Sequence, residues 1–192
     1  MKNLFKILGV FLMAGILAAC SGTSLQNALD NTIAATNYSV TFTFTSPNET
    51  ILETTIDFDG NLARRSSQNG AIVSFYENVD NKIYRYDQFG DVWQKIDVTA
   101  DAEDAFFESN FLNSLSADLF NSSGGNSFTL LPNYYIQLGE LFGGEPVSNL
   151  ILTIERNHIN EVTFIVVIDN ITINGRIVFS NFGSVSLTLP TI

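Results

Sequence analysis

Catalysis needs side chains that move protons, attack bonds or hold metals, and this sequence has few of them. It contains one histidine, His158, and one cysteine, Cys20. His158 lies in "ERNHIN", which reads as a hairpin turn, so a solvated turn residue is expected rather than a ligand or base. "DFDGN", Asp57 to Asn61, begins like a calcium loop. Such a loop needs glycine at its sixth position and glutamate at its twelfth, whereas here Gly60 is fourth and Gln68 twelfth. A tight hairpin explains the stretch better. Asp57 and Asp59 stand two apart on one strand face, the pattern of a wet edge beside a turn rather than of a glycosidase cleft. Asp101, Glu103, Asp104 and Glu108 gather where a helix is expected to start, which suits its dipole. There is no nucleophile elbow, zinc-binding HExxH, Walker loop or dinucleotide fingerprint. With so few acid–base groups, no enzymatic activity, no metal and no cofactor are expected.

The cysteine has a different chemistry. Lys2 and Lys6 precede an uncharged apolar run from Ile7 to Ala19, and the run ends at Cys20. That is a basic region followed by an apolar region of signal-peptide length, too short for a permanent span. "LAAC", Leu17 to Cys20, resembles a bacterial lipobox. The resemblance implies a diacylglycerol on the Cys20 thiol, cleavage just before it, and acyl chains as the membrane anchor. Each buried methylene contributes about 0.8 kcal/mol. No second cysteine exists for a disulfide. The expected organisation is a leader over 1–19, a lipidated tether over 20–23 and one domain over 24–192. The expected location is extracytoplasmic, on the cell membrane.

Composition narrows the partners. The chain has 9 basic and 20 acidic residues, net −11, and losing Lys2 and Lys6 with the leader makes it two charges more negative. Such a surface repels nucleic acid, and anionic headgroups too. Sixteen phenylalanines and a 45% hydrophobic fraction are ample for a packed core.

Ser24 is placed to cap a helix through "LQNALDNTIAA" whose Leu25, Leu29 and Ile33 share a side. The period then changes to two. "NYSVTFTFTS" alternates Tyr38, Val40, Phe42 and Phe44 with serine and threonines, and strands follow in "TILETTIDF", "NLARRS", "AIVSFYEN", "KIYRYD" and "VWQKID". Asp59–Gly60, Asn69–Gly70 and Asp80–Asn81 mark the turns between them. "TADAEDAFFESNFLNSLSADLF" predicts a helix ended by "NSSGGN", "SFTLLP" a short strand and "NYYIQLGELF" a brief second helix. Strands return in "NLILTIERN", "INEVTFIVVID", "ITINGRIVFSNFG" and "SVSLTLP". Val162 to Ile168 is apolar on almost both faces, which calls for something packed against its second side. The expected fold is α+β: a single curved antiparallel sheet of about 8–11 strands, a half-barrel, with helices on its concave face.

This layout is similar to bacterial lipoproteins of the LolA/LppX-like superfamily. The likeness is carried by the Y-x-Y … W-x-K pattern of Tyr84, Tyr86, Trp93 and Lys95, and by the closing "FSNFGSVSLTLP". It implies a half-barrel around an apolar cavity, a role in carrying lipids or lipoproteins through the envelope, and no catalytic residues. The cysteine anchor favours the membrane-held branch over a shuttle between membranes.

The aromatics leave two readings open. Phe106, Phe107, Phe111, Tyr134, Tyr135 and Phe142, with Leu115 and Leu119, line a lipid cavity or form its lid, with glycines of "SSGG" and "FGG" as hinges. Alternatively they fill a solid core, and the protein is a structural or protein-interaction lipoprotein of the envelope. The first reading gives a lipid or other hydrophobic ligand as partner, the second an envelope protein.

Overall fold

A computed structural model describes residues 24–47, 49–99, 111–139 and 145–192. Cys20 and the acids between 101 and 108 lie outside them. Helix α1 spans residues 24–34. Six strands follow as a meander: β1 (Asn37–Thr45), β2 (Thr50–Asp59), β3 (Leu62–Ser67), β4 (Ile72–Val79), β5 (Lys82–Phe89) and β6 (Val92–Asp97). The second group is β7 (Phe120–Gly124), β8 (Ser127–Leu130), β9 (Ser148–Glu155), β10 (His158–Ile168) and β11 (Ile171–Ser180), with helix α2 (Tyr135–Gly139) between β8 and β9.

All pairings are antiparallel, in the order β6-β5-β4-β3-β2-β1-β11-β10-β9-β8-β7. The fold is thus α+β with one large antiparallel sheet, not closed into a barrel, as the alternating pattern predicts. Two meanders meet at one seam, where Val40 faces Phe179 and Phe42 faces Ile177.

Register puts the alternate residues of each strand on a common inner face. Tyr38, Val40 and Phe42 lie opposite Phe58, Ile56 and Thr54, and Ile177 continues to Val162 and then Leu152. Buried residues of this face form one core cluster with Leu25, Ala28 and Leu29 of α1, which therefore covers the sheet. Thr32, which the apolar count passes over, is also fully buried. Its Oγ1 donates to the Ala28 carbonyl at 2.7 Å and accepts from the Ile159 amide at 2.8 Å, fastening helix to sheet. Tyr38 stacks between Phe58 and Phe182, with ring centroids 4.9 and 5.9 Å away, and burial pushes its hydroxyl pKa up.

The turns follow their residues. Asp80–Asn81, Arg156–Asn157 and Asp169–Asn170 all have positive φ at both positions, the mirror-image turn that matches strand twist. The Asp59–Gly60 signal is displaced by one, because Asp59 ends β2 and Gly60 opens the turn.

Four expectations are corrected. Residues 111–119 are not a continuous helix but two 3-10 turns, Phe111–Ser114 and Ala117–Leu119. Serine, asparagine and aspartate there favour local bonds over the helical ladder, as Ser116 Oγ does in donating to Asp118. "FNSSGGNSFTL" is the hairpin β7–β8, so "SSGG" makes a strand end and a turn rather than a hinge. "SVSLTLP" forms no strand: Asn37 and Asp59 hold it instead, through the amides of Val185 and Leu187 at 2.9 and 3.0 Å. Finally, β10 has no helix over its outer face among the described residues, and Val167 on that side is exposed.

Candidate ligand-binding face

The inner face has two chemically different halves. Under α1, strands β1, β9, β10 and β11 contribute only apolar side chains to the core cluster, among them Val40, Leu152, Val162, Phe164, Ile177 and Phe179. Across β2 to β5 the same face carries Ile56, Tyr76 and Ile83 together with Thr54, Arg65, Ser74, Arg85 and Asp87. Register places Arg65 opposite Ser74, Ser74 opposite Asp87 and Tyr76 opposite Arg85. Ser74, at 4% exposure, donates to Asp87 Oδ1 at 2.8 Å, and Arg85 Nε donates to Asp87 Oδ2 at 2.8 Å. Thr54 Oγ1 donates to the Ser66 carbonyl at 2.9 Å. Among the described residues no buried side-chain nitrogen or oxygen lacks a partner.

Leu115 and Leu119 are buried in the core cluster, while Tyr134 and Tyr135 pack half-buried against it. These four therefore reach the inner face. Phe106, Phe107 and Phe142 lie outside the described residues, as does the side chain of Phe111.

The opposite face holds the Y-x-Y … W-x-K residues. Phase puts Tyr84 with Tyr86 and Trp93 with Lys95, and the strand pairing brings the two pairs to one side and adds Phe75 and Glu77. Phe75 and Tyr86 are buried yet belong to no part of the main core. The Phe75 and Trp93 rings meet edge to face at 5.5 Å. Lys95 Nζ lies 4.1 Å from the Tyr84 ring centroid and donates to Glu77 Oε2 at 2.8 Å, and Tyr86 Oη donates to the same oxygen at 2.9 Å. The hydrogen bond from Lys95, then that from Tyr86, holds Glu77 below the usual carboxylate range; the bond to Glu77 raises Lys95. Burial raises Tyr86. This is a satellite cluster with its polar groups matched.

No protein-family model matches the chain. No curated protein matches it either. Among solved structures it is similar to the Mycobacterium tuberculosis lipoprotein LppX. The two share 13% identity over 88% of this chain and 98% of the other, with a TM-score of 0.46. A likeness that weak goes no further than general layout.

The candidate chemistry dismissed in the sequence lies elsewhere and is structural. Asp57 is buried rather than wet: it accepts from Ser39 Oγ and, at 2.7 Å, from Arg64 Nη2. His158 opens β10 and stacks on Phe182 at 4.1 Å, beside a surface hollow of about 520 Å³. No group of three or more histidine, cysteine, aspartate or glutamate residues could hold a metal among the described residues. The polar set Thr54–Ser74–Asp87 was missed because its strands read as ordinary half-polar strands. Only the register tells that these polar residues point inward.

Proposed function

We propose that this is an extracytoplasmic lipoprotein, anchored through acylated Cys20, that holds a lipid or other hydrophobic ligand against the inner face of its sheet without chemical conversion. The observation that carries this reading is the mixed inner face. On it Thr54, Arg65, Ser74, Arg85 and Asp87 stand beside Ile56, Tyr76 and Ile83. Such a face suits an amphiphile: acyl chains leave water against its apolar side chains, and a headgroup meets the placed polar groups. Each Å² of apolar surface buried stabilises the complex by roughly 25 cal/mol. Leu115, Leu119, Tyr134 and Tyr135 are the proposed lining, with Phe106, Phe107, Phe111 and Phe142 completing a lid. Native mass spectrometry of the purified protein, followed by organic extraction, tests this. The expected result is a co-purifying lipid released on unfolding. A repeatedly empty protein that takes up neither a fluorescent fatty acid nor a phospholipid overturns it.

The burial of Leu112, Leu115 and Leu119 in the same cluster as the sheet supports the second reading, a solid-cored envelope protein that meets another protein. The empty outcome favours that reading.

A further inference from the structure

Exposed apolar side chains are unevenly placed on this fold. Leu52, Ile72, Phe89, Val92, Ile168 and Ile171 are all large, apolar and exposed, Phe89 and Val92 at 56% and 58%. The antiparallel order puts the end of β1, the start of β2 and every one of these six residues at the same end of the sheet. Leu52, Phe89, Val92, Ile168 and Ile171 also share the inner face, since they pair with Phe44, with each other across the β5–β6 turn, and across the β10–β11 turn. Ile136, the most exposed of all, belongs to α2, which follows β8 at that same end. The opposite end, with its turns Gly60–Asn61, Asp80–Asn81 and Arg156–Asn157, has no exposed large apolar strand residue among the described residues. Scattered surface hydrophobics need no explanation, but a one-sided rim of them does.

Helix α1 says what lies next to that rim. Near its start, Gln26 Oε1 accepts from the Ala117 amide at 3.1 Å, and Ala117 leads into β7, whose first residue is at the rim end. Near its finish, Asn31 Nδ2 donates to the Asn157 carbonyl at 3.0 Å, in a turn of the opposite end. The helix therefore enters from the rim. Cys20 precedes Ser24 by four residues, a reach of at most about 14 Å when extended. Ser24, the described residue nearest Cys20 in the chain, thus lies towards the rim.

We propose that this rim docks onto the bilayer that holds the lipid anchor, its apolar tips entering the interface. The turns there carry Glu49, Asp91 and Asp169 and no lysine or arginine, so insertion rather than attraction to anionic headgroups drives the contact. This orientation puts the apolar strand ends of the inner face next to the membrane. It rests on acylation at Cys20, and not on the presence of a cargo.

Acylation removes the only native thiol, so a single introduced cysteine can carry a nitroxide. The lipidated protein, reconstituted in phosphatidylcholine vesicles, would be labelled at Asp91→Cys at the rim or Asp80→Cys at the far end. Expected are a rim probe accessible to oxygen but shielded from a water-soluble paramagnetic agent, and a far-end probe open to that agent. Phe89→Ser with Val92→Ser should abolish the shielding. Equal water exposure of both probes on an acylated protein overturns docking alone. A rim probe shielded from both agents means a protein partner or second copy covers the rim, and overturns it too. An N-terminal peptide without acyl groups, read by mass spectrometry, overturns docking together with the anchoring reading.

Discussion

The ring of Phe164 occupies the space that a Cβ on Gly175 would fill. The two residues are directly paired across β10 and β11, and Phe44 flanks the glycine on β1, its ring 6.1 Å from that of Phe164 and edge-on. The missing side chain lets an aromatic lie across the strand at the centre of the dry half. This is why a glycine sits in a strand interior where it would otherwise weaken the sheet.

Gly175→Ala should therefore destabilise the fold by about 1–3 kcal/mol through overpacking. Phe164→Ala should cost about 3–5 kcal/mol. In the combined variant the effects should fall well short of additive, because the alanine methyl enters the space the ring vacated. Urea unfolding of the three variants measures this, and simple additivity would contradict the overlap.

Thr32 fastens α1 to β10 with one hydroxyl. Thr32→Val keeps the shape but leaves the Ile159 amide without its partner, and should cost about 1–3 kcal/mol. Thr32→Ser keeps the hydroxyl and should lose less. Equal stability of the valine variant and the parent would remove the fastening role.

The outer cluster makes a pH prediction. Glu77 titrates below its ordinary value in the fold, so its contribution is present above that ordinary value and is lost as pH falls through the lower, folded one. Lys95 is raised, so its contribution is present below the ordinary lysine value and is lost as pH rises through the higher one. Glu77→Gln should flatten the acid limb of a melting-temperature profile. Both groups are largely solvent-screened, so the change is small and disappears in high salt. An acid limb identical to the parent's would refute the assignment.

Arg156 sits at a φ of 50° in the β9–β10 turn, where asparagine is far better tolerated. Arg156→Asn should stabilise the protein by up to about 1 kcal/mol. Its contact with Glu155, 3.6 Å long between two exposed side chains, offers little to lose. Thermal melting decides, and a lower midpoint would show that the arginine does something else.

Cys20→Ser should leave the protein released or held as an uncleaved precursor. The mass of the variant's N-terminus tells which, and a parent protein whose mature N-terminus is cleaved, unmodified and starts elsewhere would sink the anchoring reading.

The strands were legible wherever a two-residue period met a turn with its own chemistry, as in "NYSVTFTFTS" or around Asp80–Asn81. Where polar residues carry the ladder, the pattern is silent: "FNSSG" becomes β7 only because β8 pairs with it and Phe120 and Leu130 are buried. The apolar tail "SVSLTLP" misleads in the other direction. Its neighbours are side chains of Asn37 and Asp59, far back in the chain, which no local window contains. The mixed inner face was invisible for a related reason. Alternation says that Ser74 and Phe75 point opposite ways, but not which of them points inward.

The seam between β1 and β11 has a consequence for how the protein forms. β1 finds β2 within a few residues, but its other neighbour is the last strand of the sheet. Hairpins on either side can close early and locally, whereas the pairing of Val40 with Phe179 spans most of the chain. Non-local pairings of that kind slow folding. The central strand of the sheet therefore keeps one open edge until nearly the whole polypeptide is available to fold. A chain built this way completes its core only when its last strand is in place beside its first.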